Sequence, residues 1–166
     1  MNPSNRLDPK NKSSLEIKII TPETSAGEII ELSLLSGPSD EAHYKKLMLG
    51  FIANSLSKEC DLDKGIVYGL YSGNELVAST RLKQDEYTFD AVSIEYLAVK
   101  PEYQGQEYGT LFMQGLFKEI KETWNKELVI LATSASKGFY EKIGMEIMGQ
   151  IKFSEEYTRF YFYKWV

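Results

Sequence analysis

With 166 residues and 43% hydrophobic content, the chain has the length of one domain and can bury roughly two-thirds of the surface its unfolded form exposes. Its net charge of −5 argues against nucleic-acid binding, which needs a basic face to neutralise phosphates, and mildly favours a cationic or amine-bearing partner. The single cysteine, Cys60, excludes an internal disulfide, no apolar run reaches membrane-spanning length, and the polar first fourteen residues lack a signal-peptide core, so the expected location is the cytoplasm.

Residues 1–14 read as a flexible arm and 15–166 as the folded domain. Leu15 to Ile20 alternates as a strand and stops before Pro22. Thr24 or Ser25 can cap a helix running to about Ser36 and ending at Gly37-Pro38. A second helix starts near Ser39-Asp40, with Tyr44, Leu47, Met48, Phe51, Ile52 and Leu56 at three- and four-residue steps along one face. Gly65 to Tyr71 and Leu76 to Leu82 form a hairpin about the turn Ser72-Gly73-Asn74-Glu75. A strand from Val92 to Val99 stops before Pro101. Phe112, Met113, Leu116, Phe117, Ile120 and Trp124 then mark one face of a helix from Gly109 to Asn125. Glu127 to Ala132 is a short strand, Ser136 to Ile143 a short helix ending at Gly144, and Met145 to Phe153 and Tyr157 to Trp165 are two final strands. The order predicts an α/β (α+β) single domain.

Several common chemistries lack their residues. His43, the only histidine, sits among charged residues on a solvated helix face and rules out a multi-histidine metal site. Cys60 lies in an acidic loop, which disfavours a thiolate. No Walker-type loop is present. The stretch PEYQGQEYG, residues 101–109, stands apart. It joins a strand to a helix, where the first-turn N–H groups lack partners and the helix dipole favours a phosphate. Gly105 and Gly109 let backbone approach a ligand closely.

Residues 93–113, centred on Gln104-Gly105-Gln106-Glu107-Tyr108-Gly109, resemble the acyl-CoA-binding motif of the GNAT superfamily of N-acetyltransferases. Gln104 and Gly109 match its ends, and Glu107 stands where its middle glycine is expected. A second block, Ala135-Ser136-Lys137-Gly138-Phe139-Tyr140-Glu141-Lys142-Ile143-Gly144-Met145, is similar to the family's later segment, with one helix and one strand between the two. The resemblance covers residues 15–166. It implies a mixed, mostly antiparallel central sheet of about seven strands flanked by about four helices, and acetyl-CoA as cosubstrate with no metal.

The same resemblance assigns roles. Backbone groups of Leu97, Ala98 and Val99 would hold the pantetheine arm, with the Leu97 N–H donating to the thioester carbonyl as an amine attacks. The N–H groups from Gln104 through Gly105, Gln106, Glu107, Tyr108 and Gly109 to Thr110 would hold the pyrophosphate. Tyr140 would be the general acid that protonates the departing thiolate. The family's glutamate base falls at Ser93, which cannot serve. Glu95, two residues on and on the same sheet face, is the nearest substitute, with Asp90 and Glu86 as further candidates. The acceptor would be a primary amine on a small molecule or peptide, facing the first two helices and the aromatic last strand. Homodimers are common in that family, and no nucleic-acid or membrane partner is implied. The alternative function is a catalytically weak CoA-binding sensor or interaction module of the same fold, favoured by Ser93 and Glu107.

Overall fold

The computed structural model describes residues 14–20, 26–34, 41–55, 61–88 and 90–166. Its elements run β1 (Leu15–Ile19), α1 (Ala26–Leu34), α2 (Glu41–Ser55), β2 (Ile66–Ser72), β3 (Glu75–Gln84), β4 (Ala91–Val99), α3 (Tyr108–Glu122), β5 (Leu128–Thr133), α4 (Lys137–Lys142), β6 (Glu146–Lys152) and β7 (Thr158–Trp165). This is the order expected from periodicity, with the described ends within three residues of those expected. The helix signals at Thr24, Ser25, Gly37-Pro38 and Ser39-Asp40, together with the N-terminal arm up to residue 13, Leu56 and Cys60, lie outside the described residues.

The seven strands form one sheet in the order β1-β2-β3-β4-β5-β7-β6. Every pairing is antiparallel except β4 with β5. On one face, α3 buries Phe112, Met113, Leu116, Phe117 and Ile120 against Tyr68, Leu82, Val92, Ile94 and Phe162. Those five helix positions recur at three- and four-residue steps, so one stripe of the helix meets the sheet. Trp124 lies just past the helix end, and its indole N–H donates to the Tyr68 hydroxyl (2.9 Å), which donates in turn to Glu119 Oε1 (3.1 Å). On the other face, Ile29, Ile30 and Leu32 of α1 and Met48 and Ile52 of α2 pack with Val67, Tyr71, Leu76 and Ala98.

Two irregularities of β4 shape the molecule. The first is a bulge. Arg81 pairs with Glu95 and Ser79 with Ala98, so Tyr96 and Leu97 together oppose Thr80 alone. Tyr96 takes the left-handed conformation, φ 54°, and Thr80 Oγ1 donates to the Glu95 carbonyl (2.8 Å). A bulge bends its strand and re-aims the residues after it. The second is a divergence. The parallel ladder holds only Ala91 to Leu128, Val92 to Val129 and Ser93 to Ile130. Beyond it β5 runs on beside β7 to Thr133, while β4 runs on beside β3 to Val99. The two strands therefore splay, and a cleft opens between the second half of β4 and α4. The far end of β4 is pinned by Lys100, which reaches Glu28 of α1 (2.8 Å) and Glu75 (3.4 Å). Burial pulls the Lys100 ammonium down, but the hydrogen bonds and charges of those two carboxylates outweigh it, and the net displacement is upward.

Candidate active site

The splay forms one side of a cavity of about 430 Å³. Leu97, Ala98 and Val99 line it from β4, and Gln104, Gly105, Glu107, Tyr108, Gly109 and Thr110 line it from the turn and the start of α3. Ser136, Phe139, Tyr140 and Lys142 close it from α4. Of the residues expected at the site, Gln106 and Glu95 are not in this lining. Gln106 turns back, its Nε2 donating to the Glu102 carbonyl (2.6 Å).

The turn's conformation follows from its sequence with one exception. Gly105 adopts φ 72°, where glycine meets no penalty, but Glu107 adopts φ 70° with a Cβ present. Glu107 is the N-cap of α3, its side chain is exposed, and it makes no capping hydrogen bond. The first helical bond runs from Leu111 N–H to the Glu107 carbonyl (2.9 Å). The amides of Tyr108, Gly109 and Thr110 therefore precede the helical ladder and stand at the positive end of a fifteen-residue helix.

Strand alternation fixes which β4 groups face the cleft. Lys100 N–H donates to the Val77 carbonyl on β3 (2.9 Å), so the amide and carbonyl of Val99 point the other way. The Val99 carbonyl accepts Gln104 Nε2 (2.9 Å). Gln104 thus braces the cleft wall with its side chain, a contact that the motif, which assigned this residue a role in holding the pyrophosphate, did not anticipate.

Tyr140 is 8% exposed and packs against Phe139 at 5.1 Å and Phe162 at 5.5 Å between ring centroids. Burial pushes its phenol up to about 12, so it carries its proton throughout the physiological range. Tyr103, at the cavity rim, is also pushed up to about 12, chiefly because its hydroxyl donates to Glu75 Oε2 at 2.7 Å.

The carboxylates expected to supply a base are spread out. Glu95 is half-exposed on β4, and its Oε2 accepts from Arg81 Nη1 at 2.5 Å. Tyr96 next to it has its phenol raised, first by burial and then by the Glu95 charge. Glu86 and Asp90 are exposed in the β3–β4 connection, at the opposite end of β4 from Leu97, and Glu86 pairs with Lys83. Ser93, at the position of the family's glutamate, donates to Asp85 Oδ2 (2.9 Å), whose Oδ1 accepts the amides of Tyr87 and Thr88. Arg81 and Asp85 escaped the sequence reading. Each meets its partner across the β3–β4 hairpin, where strand register alone sets the pairing. Among the described residues no group of three or more His, Cys, Asp or Glu stands together to hold a metal ion, and no helix is long and apolar enough to cross a membrane. His43 is exposed on α2.

Comparison with solved structures gives the same architecture. A GNAT-family acetyltransferase from Desulfovibrio desulfuricans superposes with TM-score 0.72 at 12% identity, covering 91% of this chain and 98% of that one. A Bacillus subtilis acetyltransferase solved in complex with CoA gives 0.68 at 19% identity, covering 92% and 99%. An Elizabethkingia anophelis GNAT acetyltransferase with acetyl-CoA bound gives 0.65 at 17%, covering 92% and 99%. No curated protein matches the sequence. Residues 63–147, half of the chain, match the family model of the acetyltransferase (GNAT) domain. That segment builds the splay, the turn and α4, and the chain belongs to the GNAT superfamily of acetyltransferases.

Proposed function

We propose that the protein is an N-acetyltransferase that moves an acetyl group from acetyl-CoA directly to a primary amine held in the same ternary complex, acting in the cytoplasm. The observation that carries this reading is one cavity bordered by three things at once: a strand edge past the end of its parallel ladder, the N-terminal amides of a helix, and a buried, protonated phenol. These suit a ligand with a peptide-like arm, a diphosphate and a sulfur leaving group. Two of the solved acetyltransferases with this architecture hold CoA or acetyl-CoA, which supports the same cosubstrate here.

When bound, acetyl-CoA supplies a thioester carbonyl carbon that accepts the amine nitrogen as the C–S bond breaks. The residues of this chain do the rest. The amides of Tyr108, Gly109 and Thr110, with the α3 dipole behind them, hold the diphosphate. Backbone of Leu97 and Val99 in the splay orients the arm, and the Leu97 N–H donates to the carbonyl oxygen as negative charge builds on it. Tyr140 gives its proton to the sulfur. The attacking nitrogen begins as an ammonium, and its proton passes to Glu95 or through water.

The test is an assay of thiol release from acetyl-CoA with spermidine, lysine, kanamycin and an alanine-initiated peptide, beside calorimetry with acetyl-CoA alone. Binding plus amine-dependent release with an N-acetylated product is the expected result, and absence of acetyl-CoA binding would sink the proposal. A second reading has one observation behind it: the carboxyls of Glu95, Glu86 and Asp85 are all engaged by protein partners. On that reading the protein binds CoA as a sensor or interaction module, and it predicts binding with no release across the panel.

A further inference from the structure

Arg81 is a cation almost wholly withdrawn from water, its side chain 8% exposed, and three separate segments are shaped around it. Its guanidinium lies on the ring of Phe51 from α2, 3.4 Å from the centroid. Nη2 donates to the Lys64 carbonyl (3.3 Å). Gly65 adopts φ 84°, and a Cβ there would stand 2.7 Å from Arg81 Cζ, so only glycine leaves room for the guanidinium. Asn54 of α2 ties down that segment by donating to the Gly65 carbonyl (2.6 Å). Among the described residues Nη1 makes the one charged contact, to Glu95 Oε2. Nε is buried with no hydrogen-bond partner among the described residues.

As a stability device this is poor. Burying a guanidinium is costly, and an ion pair of this kind is often replaced by apolar residues without loss. The unpartnered Nε adds a further cost. What the apparatus does achieve is a fixed carboxylate. Glu95 is held at its backbone carbonyl by Thr80 and at Oε2 by Arg81. Its Oε1 has no hydrogen bond among the described residues, and the side chain is 35% exposed. It stands immediately before the bulge, two residues or roughly 7 Å along the strand from Leu97.

We propose that Arg81 is the positioning residue of the acceptor side. It clamps one oxygen of Glu95 so that the other is presented, in one orientation, to the ammonium of the incoming amine. Phe51 of α2 and Gly65, just before β2, hold the clamp, so both act on the acceptor geometry through Arg81. Arg81 itself exchanges no proton and contacts no reacting atom. This inference rests on the acetyltransferase reading above.

The experiment is a double-mutant cycle on the intact protein, using whichever of spermidine, lysine, kanamycin or the alanine-initiated peptide is turned over fastest. Arg81→Met, Glu95→Gln and the double variant are compared for acceptor kcat/KM, for acetyl-CoA affinity by calorimetry and for melting temperature. Arg81→Lys and Gly65→Ala are run beside them. The expected result is a loss of acceptor kcat/KM of about tenfold to a hundredfold in Arg81→Met and in Glu95→Gln, with no further loss in the double variant. Acetyl-CoA affinity should stay within twofold, Arg81→Lys should recover part of the loss, and Gly65→Ala should reproduce it from a site outside the active centre. Additive losses, or an acetyl-CoA affinity that falls in step with turnover, would overturn the positioning role and leave the acetyltransferase reading intact. A wild-type protein inert toward all four amines overturns both.

Discussion

At the scale of single residues, two positions combine strain or burial with a place in the proposed site. Burial pushes the ionisation of the Tyr140 phenol up to about 12. A donor must be protonated to act, so its useful form is fully present at neutral pH and declines only as pH rises through that value. Any descending limb in the rate between pH 8 and 10 must therefore belong to another group. Tyr140→Phe should lower kcat by about a hundredfold or more while leaving acetyl-CoA affinity within twofold, and an unchanged rate would remove the phenol from the mechanism. The same shift acts on stability. The unfolded phenol ionises near 10 and the folded one near 12, so the native state holds the proton more tightly in that window. Stability should fall as pH rises from 10 to 12, by roughly 3 kcal/mol for this group, and alkaline denaturation of Tyr140→Phe should lack that component. Glu107 is the second position. A left-handed conformation costs a residue with a Cβ about 1 kcal/mol, and an exposed carboxylate beside a diphosphate costs on the order of 1 kcal/mol or less. Glu107→Gly should raise the melting temperature by about 3 °C and tighten CoA binding up to about fivefold at low salt. High salt should erase the affinity gain, which is screened, and spare the melting gain, which is conformational.

At the scale of elements, the splay of β4 makes a prediction that separates one amide from its neighbour. Lys100 N–H is bonded to β3 and should be protected from hydrogen exchange in the free protein. The Val99 amide faces the cleft and should exchange quickly, as should that of Leu97 in its proposed role, and both should slow on addition of acetyl-CoA. Equal protection of all three before ligand is added would mean the cleft is closed in solution. How much of this could be read in the sequence depends on the range of the interaction. The α3 stripe from Phe112 to Ile120, the hairpin about Gly73 and the turn at Gly105 are local patterns, and each appears where its spacing places it. The cleft wall and Tyr140 were reachable because two short motifs lie in register. The bulge at Tyr96 was not, since no glycine marks it and its cause is the register that Thr80 and Arg81 impose from β3. Arg81 was invisible for the same reason. Its partner lies fourteen residues away across a hairpin, and only the folded pairing shows that a residue in an apolar run is a buried cation.

For the whole molecule, the question is how a chain of net charge −5 attracts an anionic cosubstrate. The cavity lining offers one cationic side chain, Lys142, and one anionic, Glu107, so its formal charges cancel. Neither long-range steering nor ion pairing can then supply most of the affinity. That leaves the amides of the α3 first turn and the strand edge, which act at hydrogen-bond range where salt screens weakly. Two expectations follow from this arrangement, and one set of melting curves checks both. Acetyl-CoA at a hundred times its dissociation constant should stabilise the fold by about 2.7 kcal/mol, a rise of roughly 5–10 °C for a domain of this size. Repeating the curves from low to physiological salt should shift the derived dissociation constant by less than about threefold, because few counterions are exchanged on binding. A steeper dependence, tenfold or more over that range, would mean that cationic side chains hold the phosphates, with Lys142 the first to suspect. Lys142→Gln would then remove most of the salt effect, whereas backbone capture leaves its slope close to that of the wild type.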